Sequence, residues 1–468
     1  MKKIGFLFVF IFQSLLVSSQ TFKVDTIQYN GSSDKRINIV VLSDGYQSSE
    51  FDKFIEDTQK VINDFFSDAP YKEYRNYFNV FAIKVPSNES GASHPGTATD
   101  VTEPAHPIKE VDNYFGSTFD SFNIHRLLVT SKGSKAIAVL AANFPVYDQV
   151  LILVNTTYYG GSGGRFAIAS TNEQSSELVA HEIGHSFPNL IDEYYAGDVF
   201  AREGINMTKE TNPSLVKWKN WYGDNDVGIY QHCCDGDANS WYRPHQNCKM
   251  RFLGSPFCSI CIEGTIEKIH VLTTPIDSYS PENNTLSDAS FPIEFKLNLL
   301  TPEPNTLKIK WLLNTVELDK KQSGISINAN EMITGANTVT AIIQDTTALL
   351  RKDNHGINHV YSVSWTVEKK TSGTTVSGID KIESVINYVR FQMYPNPTED
   401  IVNVKFSSNK EETLKIEIFN LVGEKLQTVV PNNDYITSID LSRFPQGVYI
   451  LNFTRNNVIV ASKKVIKK

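Results

Sequence analysis

The sequence predicts a mixed α/β domain that is followed by two small all-β sandwich domains. Residues 21–270 alternate short β-branched runs with helical patterns, which is typical of an α/β domain. From residue 275 onward, short runs of alternating apolar and polar residues are separated by turn-rich pieces, which is typical of β-sandwiches. The length of 468 residues is sufficient for about three domains.

The composition is that of a folded protein with a mildly acidic surface. Hydrophobic residues make up 41% of the chain and charged residues 21%. The 44 Lys and Arg residues are outnumbered by 52 Asp and Glu residues, which gives a net charge of −8. Proteins that bind nucleic acids usually carry a basic patch, so we expect no nucleic-acid partner.

The first twenty residues, MKKIGFLFVFIFQSLLVSSQ, predict a secretory signal peptide. Lys2 and Lys3 precede an apolar run from Ile4 to Val17, and small residues follow it. A membrane anchor needs about 20 apolar residues, whereas this run is shorter and contains Gln13. We therefore expect residues 1–20 to be removed during export and no transmembrane segment to remain.

Residues 21–270 contain the elements of the predicted α/β domain. The segment INIVVLSDGY (Ile37–Tyr46) predicts a buried strand, and the apolar spacing in SEFDKFIEDTQKVINDFF predicts a helix after it. Further strands are predicted at Tyr77–Val85, His125–Ser131, Gln149–Asn155 and Phe166–Ser170. The glycine-rich segment Gly160–Gly164 leads into a strand and not into a helix, so it predicts a turn beside an edge strand that could pair with an extended substrate.

The C-terminal half predicts two β-domains. The segments PIEFKLNLL, TLKIKWLLN and HVYSVSWTVE predict strands of an immunoglobulin-like sandwich over residues 275–368. A polar linker is predicted over residues 369–390, and a second run of strands over residues 391–468.

Five cysteines fall close together in the sequence: Cys233, Cys234, Cys248, Cys258 and Cys261. In an exported chain this clustering predicts one or two disulfides, with one cysteine left over. The alternative is a structural zinc cluster, because CSIC has the CxxC spacing of zinc ligands.

The segment HEIGH predicts a catalytic zinc site. His181 and His185 are four residues apart and therefore lie on one face of a helix, where both imidazoles can bind one ion. Glu182 lies beside them and can act as the general base of a zinc peptidase. Gly184, in the middle of this helix, costs about 1 kcal/mol relative to alanine, so we expect a close packing contact there.

The third protein ligand is predicted from the residues that follow the helix. Pro188 disfavours helix at Phe187, so the chain can turn back and bring Asp192 to the histidines. Glu193 and Glu203 are the alternatives, and each would also supply a carboxylate oxygen.

The segment HEIGHSFPNLIDEYY resembles the signature of the bacterial IgA-peptidase-type zinc metallopeptidases, a metzincin-like family. The resemblance extends over about residues 37–269, including VVLSDGYQ, YRPHQNCKMRF and FCSICIE. It implies a zincin fold in which His181, His185 and Asp192 hold Zn²⁺ and Glu182 is the base. It also suggests a role for Met250 as the methionine beneath the zinc, for which simple core packing is the alternative. Tyr242 is a candidate donor to the developing oxyanion or to substrate, and the alternative is an aromatic side chain packed on the wall of the site.

Residues 393–468 resemble the C-terminal sorting domain of the type IX secretion system of Bacteroidetes. The matching elements are YPNP, IFNLVGEKL, FPQGVYIL and the Lys-rich end. The resemblance implies that the chain interacts with the type IX secretion machinery and is secreted or displayed on the cell surface.

Together these features predict an exported zinc endopeptidase that hydrolyses protein or peptide substrates. One alternative is a catalytically silent surface protein whose β-modules bind glycans or proteins, although the intact Glu182 argues against it. The other is a zinc amidase acting on cell-wall peptides. The motif fixes the reaction and not the substrate, because the shape of the pocket is set by loops.

Overall fold

The computed structural model describes residues 21–468 with several internal gaps. The gaps are residues 101–106, 234–235, 288–289, 354, 356–358, 371–390, 395, 397, 407–413, 421–423, 432–435 and 456–457. The described residues do not include the predicted signal peptide or Cys234. Of the predicted linker, they include only the first two residues.

A six-stranded sheet with helices on both faces forms the centre of residues 21–274. The strands of the whole region are β1 Lys23–Gln28, β2 Ile37–Asp44, β3 Phe78–Lys84, β4 Ser117–Thr118, β5 Val129–Thr130, β6 Gln149–Val154, β7 Gly161–Ser162, β8 Ala167–Ser170, β9 Tyr230–Gln231 and β10 Tyr242–Arg243. Strands β4 and β5 form a separate pair, as do β9 and β10. The helices are α1 Phe51–Phe65, α2 Gly133–Asn143, α3 Ser175–Ser186 and α4 Ser259–Leu272. The strand order is β1-β3-β2-β6-β8-β7; the four inner strands are parallel, and β1 and β7 are antiparallel edges.

Strand β2 shows why this sheet is buried on both faces. Ile39 and Val41 belong to a core that also contains residues of α1, α3 and α4. Val40 and Leu42 belong to the opposite core, which contains residues of α2. Successive side chains of a strand point to opposite faces, so a fully apolar strand requires a layer on each side. The region is thus mixed α/β, with several sheets and few helices.

Two predicted strands differ from the structure. The segment His125–Ser131 contributes only the two residues of β5, because the chain before it turns through positive φ angles at Asp120, Phe122 and Asn123. The predicted edge strand at Phe166–Ser170 is an inner strand, since β7, from within the glycine-rich segment, pairs along its outer side.

Residues 275–370 form two facing sheets. Their strands are β11 Ile276–Ser280, β12 Thr285–Leu286, β13 Ile293–Leu299, β14 Leu307–Leu313, β15 Val316–Leu318, β16 Gly324–Ile327, β17 Gly335–Asp345 and β18 Val360–Lys369. The sheet orders are β11-β13-β16 and β12-β18-β17-β14-β15. Phe295 from the first sheet shares one core with Trp311 and Trp365 from the second.

The last region also contains two sheets around a shared core. Its strands are β19 Phe391–Tyr394, β20 Ile401–Phe406, β21 Leu414–Asn420, β22 Lys425–Val429, β23 Ile436–Asp440, β24 Gly447–Arg455 and β25 Val458–Lys467. The orders are β19-β20-β23 and β22-β21-β24-β25. Among the described residues, no helix has the length and apolar character needed to cross a bilayer.

Candidate metal centre and active site

Helix α3 carries both histidines of the HEIGH segment on one face. It begins at Ser175 and ends at Ser186, as expected if Pro188 disfavours helix at Phe187. The chain then reverses: Asn189 has a φ of 61°, and the Leu190 N–H donates to the Gly184 carbonyl at 2.9 Å. This turn returns the following residues to the histidine face of the helix.

The segment after the turn is fixed by one buried amide. The Asn206 side chain accepts from the Ile191 N–H and donates to the Ile191 carbonyl, both at 2.8 Å. These bonds hold the backbone beside Asp192, whose Oδ1 lies 3.1 Å from Nε2 of His181 and 3.1 Å from Nε2 of His185. The structure therefore brings together the three residues predicted as ligands.

The three converging atoms all carry lone pairs. His181 Nδ1 donates to the Lys249 carbonyl at 2.9 Å, and His185 Nδ1 donates to the Leu190 carbonyl at 2.8 Å. With Nδ1 as the donor, an imidazole in its neutral form presents an unprotonated Nε2, and the two Nε2 atoms are 3.2 Å apart. Asp192 Oδ1 is buried and accepts no hydrogen bond within the described residues. Such an arrangement of acceptors suits a metal ion, and its donor set of two imidazoles and a carboxylate fits a divalent ion.

Met250 packs against α3 at Gly184, which lies between the two histidines in sequence. Its side chain is fully buried, and a Cβ built on Gly184 would lie only 2.9 Å from its sulfur atom. The close contact expected at Gly184 is therefore present, and its nearest partner is Met250. The Met250 carbonyl also accepts the Glu193 N–H at 2.8 Å.

Glu182 lies beside the three ligand atoms and borders the open side of the site. Burial raises the pKa of its carboxyl group, although the neighbouring His181 and His185 oppose this effect. Two adjoining cavities meet at this carboxylate. Both cavities are lined by Arg126, Tyr159, Leu178, Glu182 and Tyr194.

The glycine-rich segment forms a wall of the site. A Cβ built on Gly163 would lie 2.6 Å from Glu182 Oε2 and 2.8 Å from His185 Cδ2. The backbone after β7 thus runs against the carboxylate, with no room for a side chain. An edge strand next to a reactive group is the position where an extended peptide can pair by main-chain hydrogen bonds.

The other predicted site residues lie elsewhere. Glu193 is fully buried and faces Cys248, Cys258 and Cys261. Glu203 is exposed and pairs with Lys217.

Tyr242 is not among the residues that line the two cavities at Glu182, and its backbone pairs with Thr208 through two hydrogen bonds. Tyr194, which sequence reasoning missed, lies against His181 with ring centroids 6.3 Å apart. The signal for it was present in the quoted segment, two residues after Asp192.

One or two disulfides are predicted for the five cysteines, but the structure contains none among Cys248, Cys258 and Cys261. Each of these three cysteines is a free thiol in the structure. The Sγ atoms of Cys248 and Cys261 are 3.6 Å apart, well beyond the bond length of about 2.05 Å in a disulfide. Three of the cysteines converge on one point with Glu193, which a single pairwise cross-link would not require.

Comparison with protein families confirms the resemblance stated from the sequence. Residues 26–227 match the family model described as IgA Peptidase M64, and residues 392–468 match the secretion system C-terminal sorting domain. The first match indicates a metallopeptidase. The match to the sorting domain indicates that the chain is exported to a secreted or surface location and interacts with the secretion system that recognises this domain.

Other comparisons add little. No curated protein matches the chain. Among solved structures, latent PorU from Porphyromonas gingivalis is 10% identical with a TM-score of 0.18, over 41% of this chain and 20% of that one. A β-glucuronidase from Parabacteroides merdae is 10% identical with a TM-score of 0.15, over 50% and 28%. The chain spans less than a third of either protein, and at these TM-scores neither likeness carries an argument about fold or function.

Proposed function

We propose that the chain is an exported zinc endopeptidase with a metzincin-like catalytic domain over residues 21–270. The observation that carries this proposal is the convergence of His181 Nε2, His185 Nε2 and Asp192 Oδ1 at separations of 3.1–3.2 Å. Zinc binds nitrogen and oxygen ligands at about 2.0–2.1 Å in tetrahedral sites, so neighbouring ligand atoms are expected about 3.3 Å apart. The observed separations fit that ion.

A zinc ion held by these residues would lower the pKa of water and polarise a substrate carbonyl. Glu182 supplies the proton chemistry. Its raised pKa makes it a better acceptor at neutral pH than an ordinary carboxylate, so it takes the proton of the attacking water and passes it to the leaving amine.

The groups around Glu182 are suited to hold a peptide. The edge strand β7 and Gly163 offer main-chain partners on one side of the carboxylate. Arg126 and Tyr194 line both cavities at the carboxylate, where their N–H and O–H groups are donors for a carbonyl oxygen whose charge increases during the reaction. Met250 supports the ligand helix from below.

The test compares the wild type with Glu182→Gln, using Glu56→Gln as the matched control on an exposed face of α1. Purified proteins are incubated with a complex protein mixture, and new peptide termini are identified by mass spectrometry. We expect the wild type and Glu56→Gln to produce the same termini, and Glu182→Gln to bind zinc but cleave about 10²–10⁴-fold more slowly. A chelator should abolish cleavage, and added zinc should restore it.

The same experiment separates the competing functions. Cleavage by Glu182→Gln at the wild-type rate would contradict the assigned base. Hydrolysis of cell-wall peptides without hydrolysis of proteins would favour the amidase. A folded, zinc-loaded wild type with no hydrolytic activity on either class would favour the silent binding protein.

A further inference from the structure

Three thiols and one carboxylate form a second buried cluster next to the candidate active site. We call Glu193, Cys248, Cys258 and Cys261 the thiol cluster. Their potential ligand atoms all lie within 4.8 Å of one another, and none of the four residues is more than 6% exposed.

The spacing within the thiol cluster differs from that of a cross-link. Cys248 Sγ and Cys261 Sγ are 3.6 Å apart. Thiolates bind zinc at about 2.3 Å, so two of them at a tetrahedral angle are separated by about 3.8 Å. The CxxC spacing of Cys258 and Cys261 places them at the start of α4, where the first helical turn brings both towards Cys248.

The carboxylate gives an independent indication of a ligand. Glu193 is fully buried; its Oε1 accepts from the Asn206 amide at 2.9 Å, but its Oε2 accepts no hydrogen bond within the described residues. Burial raises the pKa of Glu193, so a carboxyl group with an unpartnered oxygen here either takes up a proton or stays ionised next to a cation. The groups that surround it are thiols, which are themselves metal ligands.

We propose that Glu193, Cys248, Cys258 and Cys261 bind a second metal ion, a thiophilic divalent cation such as Zn²⁺, in a closed structural site. Three sulfur ligands select a soft or borderline ion over magnesium or calcium. Four protein ligands leave no position for water or substrate, which is the property of a structural site and not a catalytic one. This inference does not depend on the proposed peptidase activity.

The position of the thiol cluster suggests what the ion stabilises. Cys248 precedes Lys249, whose carbonyl orients His181, and Met250, which packs under α3. Glu193 follows Asp192, and its N–H bonds to the Met250 carbonyl. An ion that joins Glu193 to Cys248 therefore fixes the two segments that orient the candidate catalytic ligands, in the way that outer contacts tune a metal site.

The test counts metal ions and detects sulfur ligation, and neither readout requires catalysis. Wild-type protein purified under reducing conditions with zinc should contain about two ions per chain, and His185→Ala about one. After cobalt substitution, both proteins should show the near-ultraviolet charge-transfer band of sulfur–cobalt bonds. Cys258→Ser should lose that band and about one ion, whereas Cys233→Ser, which alters a cysteine outside the cluster, should keep both.

A measurement on unaltered thiols covers the case in which Cys258→Ser does not fold. A thiol-specific mercurial should release about one zinc ion from folded wild type and from folded His185→Ala, as measured with a chromogenic chelator. The proposal is overturned if the mercurial releases no zinc, if cobalt produces no sulfur band, or if mass spectrometry of the exported protein finds a disulfide between any two of Cys248, Cys258 and Cys261. A wild-type protein that holds both ions but shows no peptidase activity would instead count against the proposed function alone.

Discussion

Asp192 and Glu193 are consecutive residues whose carboxylates face two different clusters. Asp192 Oδ1 lies 3.1 Å from the Nε2 atoms of His181 and His185, whereas Glu193 is buried against three thiols. The Glu193 N–H donates to the Met250 carbonyl, so the backbone of these two acids is also hydrogen-bonded to the residue that packs against α3. A single dipeptide thus joins the candidate catalytic centre to the thiol cluster.

This relationship leads to a prediction about the histidine site. Asp192→Ala should weaken the binding of its ion by more than the roughly 10–100-fold typical of an outer contact, because the substitution removes a direct ligand. Glu203→Ala is the matched control, since Glu203 is an exposed acid paired with Lys217. Dissociation constants are measured by competition with a chelator on protein shown to be folded by circular dichroism. An empty site in Glu203→Ala together with a loaded site in Asp192→Ala would reverse the ligand assignment.

The part of the site that the sequence predicted is the part set by local geometry. Helix periodicity places His181 and His185 on one face, and the restriction that Pro188 imposes on Phe187 explains the turn towards Asp192. The sequence favours Asp192 and leaves Glu193 as an alternative, because the surroundings of Glu193 include cysteines more than 50 residues further along the chain.

The cavity residues were missed for the same reason. Arg126 and Tyr159 line the cavities at Glu182 because Leu127 pairs with Gly161 in the folded chain and β7 lies against α3. Tyr194 was passed over in favour of Tyr242, which the structure commits to strand β10. Contacts between distant segments are properties of the tertiary fold and have no periodic signature in the sequence.

Gly163 should be essential for activity. Gly163→Ala adds a methyl group 2.6 Å from Glu182 Oε2 and 2.8 Å from His185 Cδ2, so the carboxylate, the His185 ring or the β7 segment must move. We expect kcat/KM to fall by about 10²-fold, as is typical of a misplaced catalytic group. Gly164→Ala is the control, because no atom lies within 4 Å of its added Cβ. Equal activity in the two variants would show that the glycine segment does not restrict Glu182.

Gly184→Ala should destabilise the protein even though alanine favours helix. The added methyl group would lie 2.9 Å from Met250 Sδ, and overpacking of a buried site typically costs about 1–3 kcal/mol. Alanine gains about 1 kcal/mol in helix propensity over glycine, which is less than most of the expected overpacking cost. Urea denaturation gives the change in the free energy of unfolding.

The control and the rescue for Gly184 use the same measurement. Gly133→Ala in α2 meets its nearest atom at 3.8 Å, so it should be neutral or stabilising. Adding Met250→Ala to Gly184→Ala should cost less than the sum of the two single changes, because the shortened side chain removes the clash. Strict additivity would mean that the two residues do not restrict each other.

Glu267 on α4 joins residues 21–274 to the following sandwich through two histidines. It accepts from His355 Nδ1 at 3.0 Å and from His359 Nε2 at 3.1 Å. Burial acts to raise the pKa of Glu267, but the hydrogen bonds from His355 and His359 outweigh it and hold the pKa below the ordinary value of 4.5. Burial likewise acts to lower the pKa of His355, but the bond to Glu267 raises it above 6.5.

These two shifts define the pH range in which the contact stabilises the fold. A lowered carboxyl pKa contributes stability above 4.5 that is lost as the pH falls, and a raised imidazole pKa contributes stability below 6.5 that is lost as the pH rises through the folded value. Glu267→Gln should therefore reduce the free energy of unfolding most between pH 4.5 and 6.5, by about 1–3 kcal/mol, and less on either side. Glu317→Gln, which alters the exposed pair with Lys310, should change it by less than about 0.5 kcal/mol at every pH. Denaturation curves across pH 4–9 measure both variants, and a loss for Glu267→Gln that does not vary with pH would show that the ionised pair contributes nothing beyond a neutral hydrogen bond.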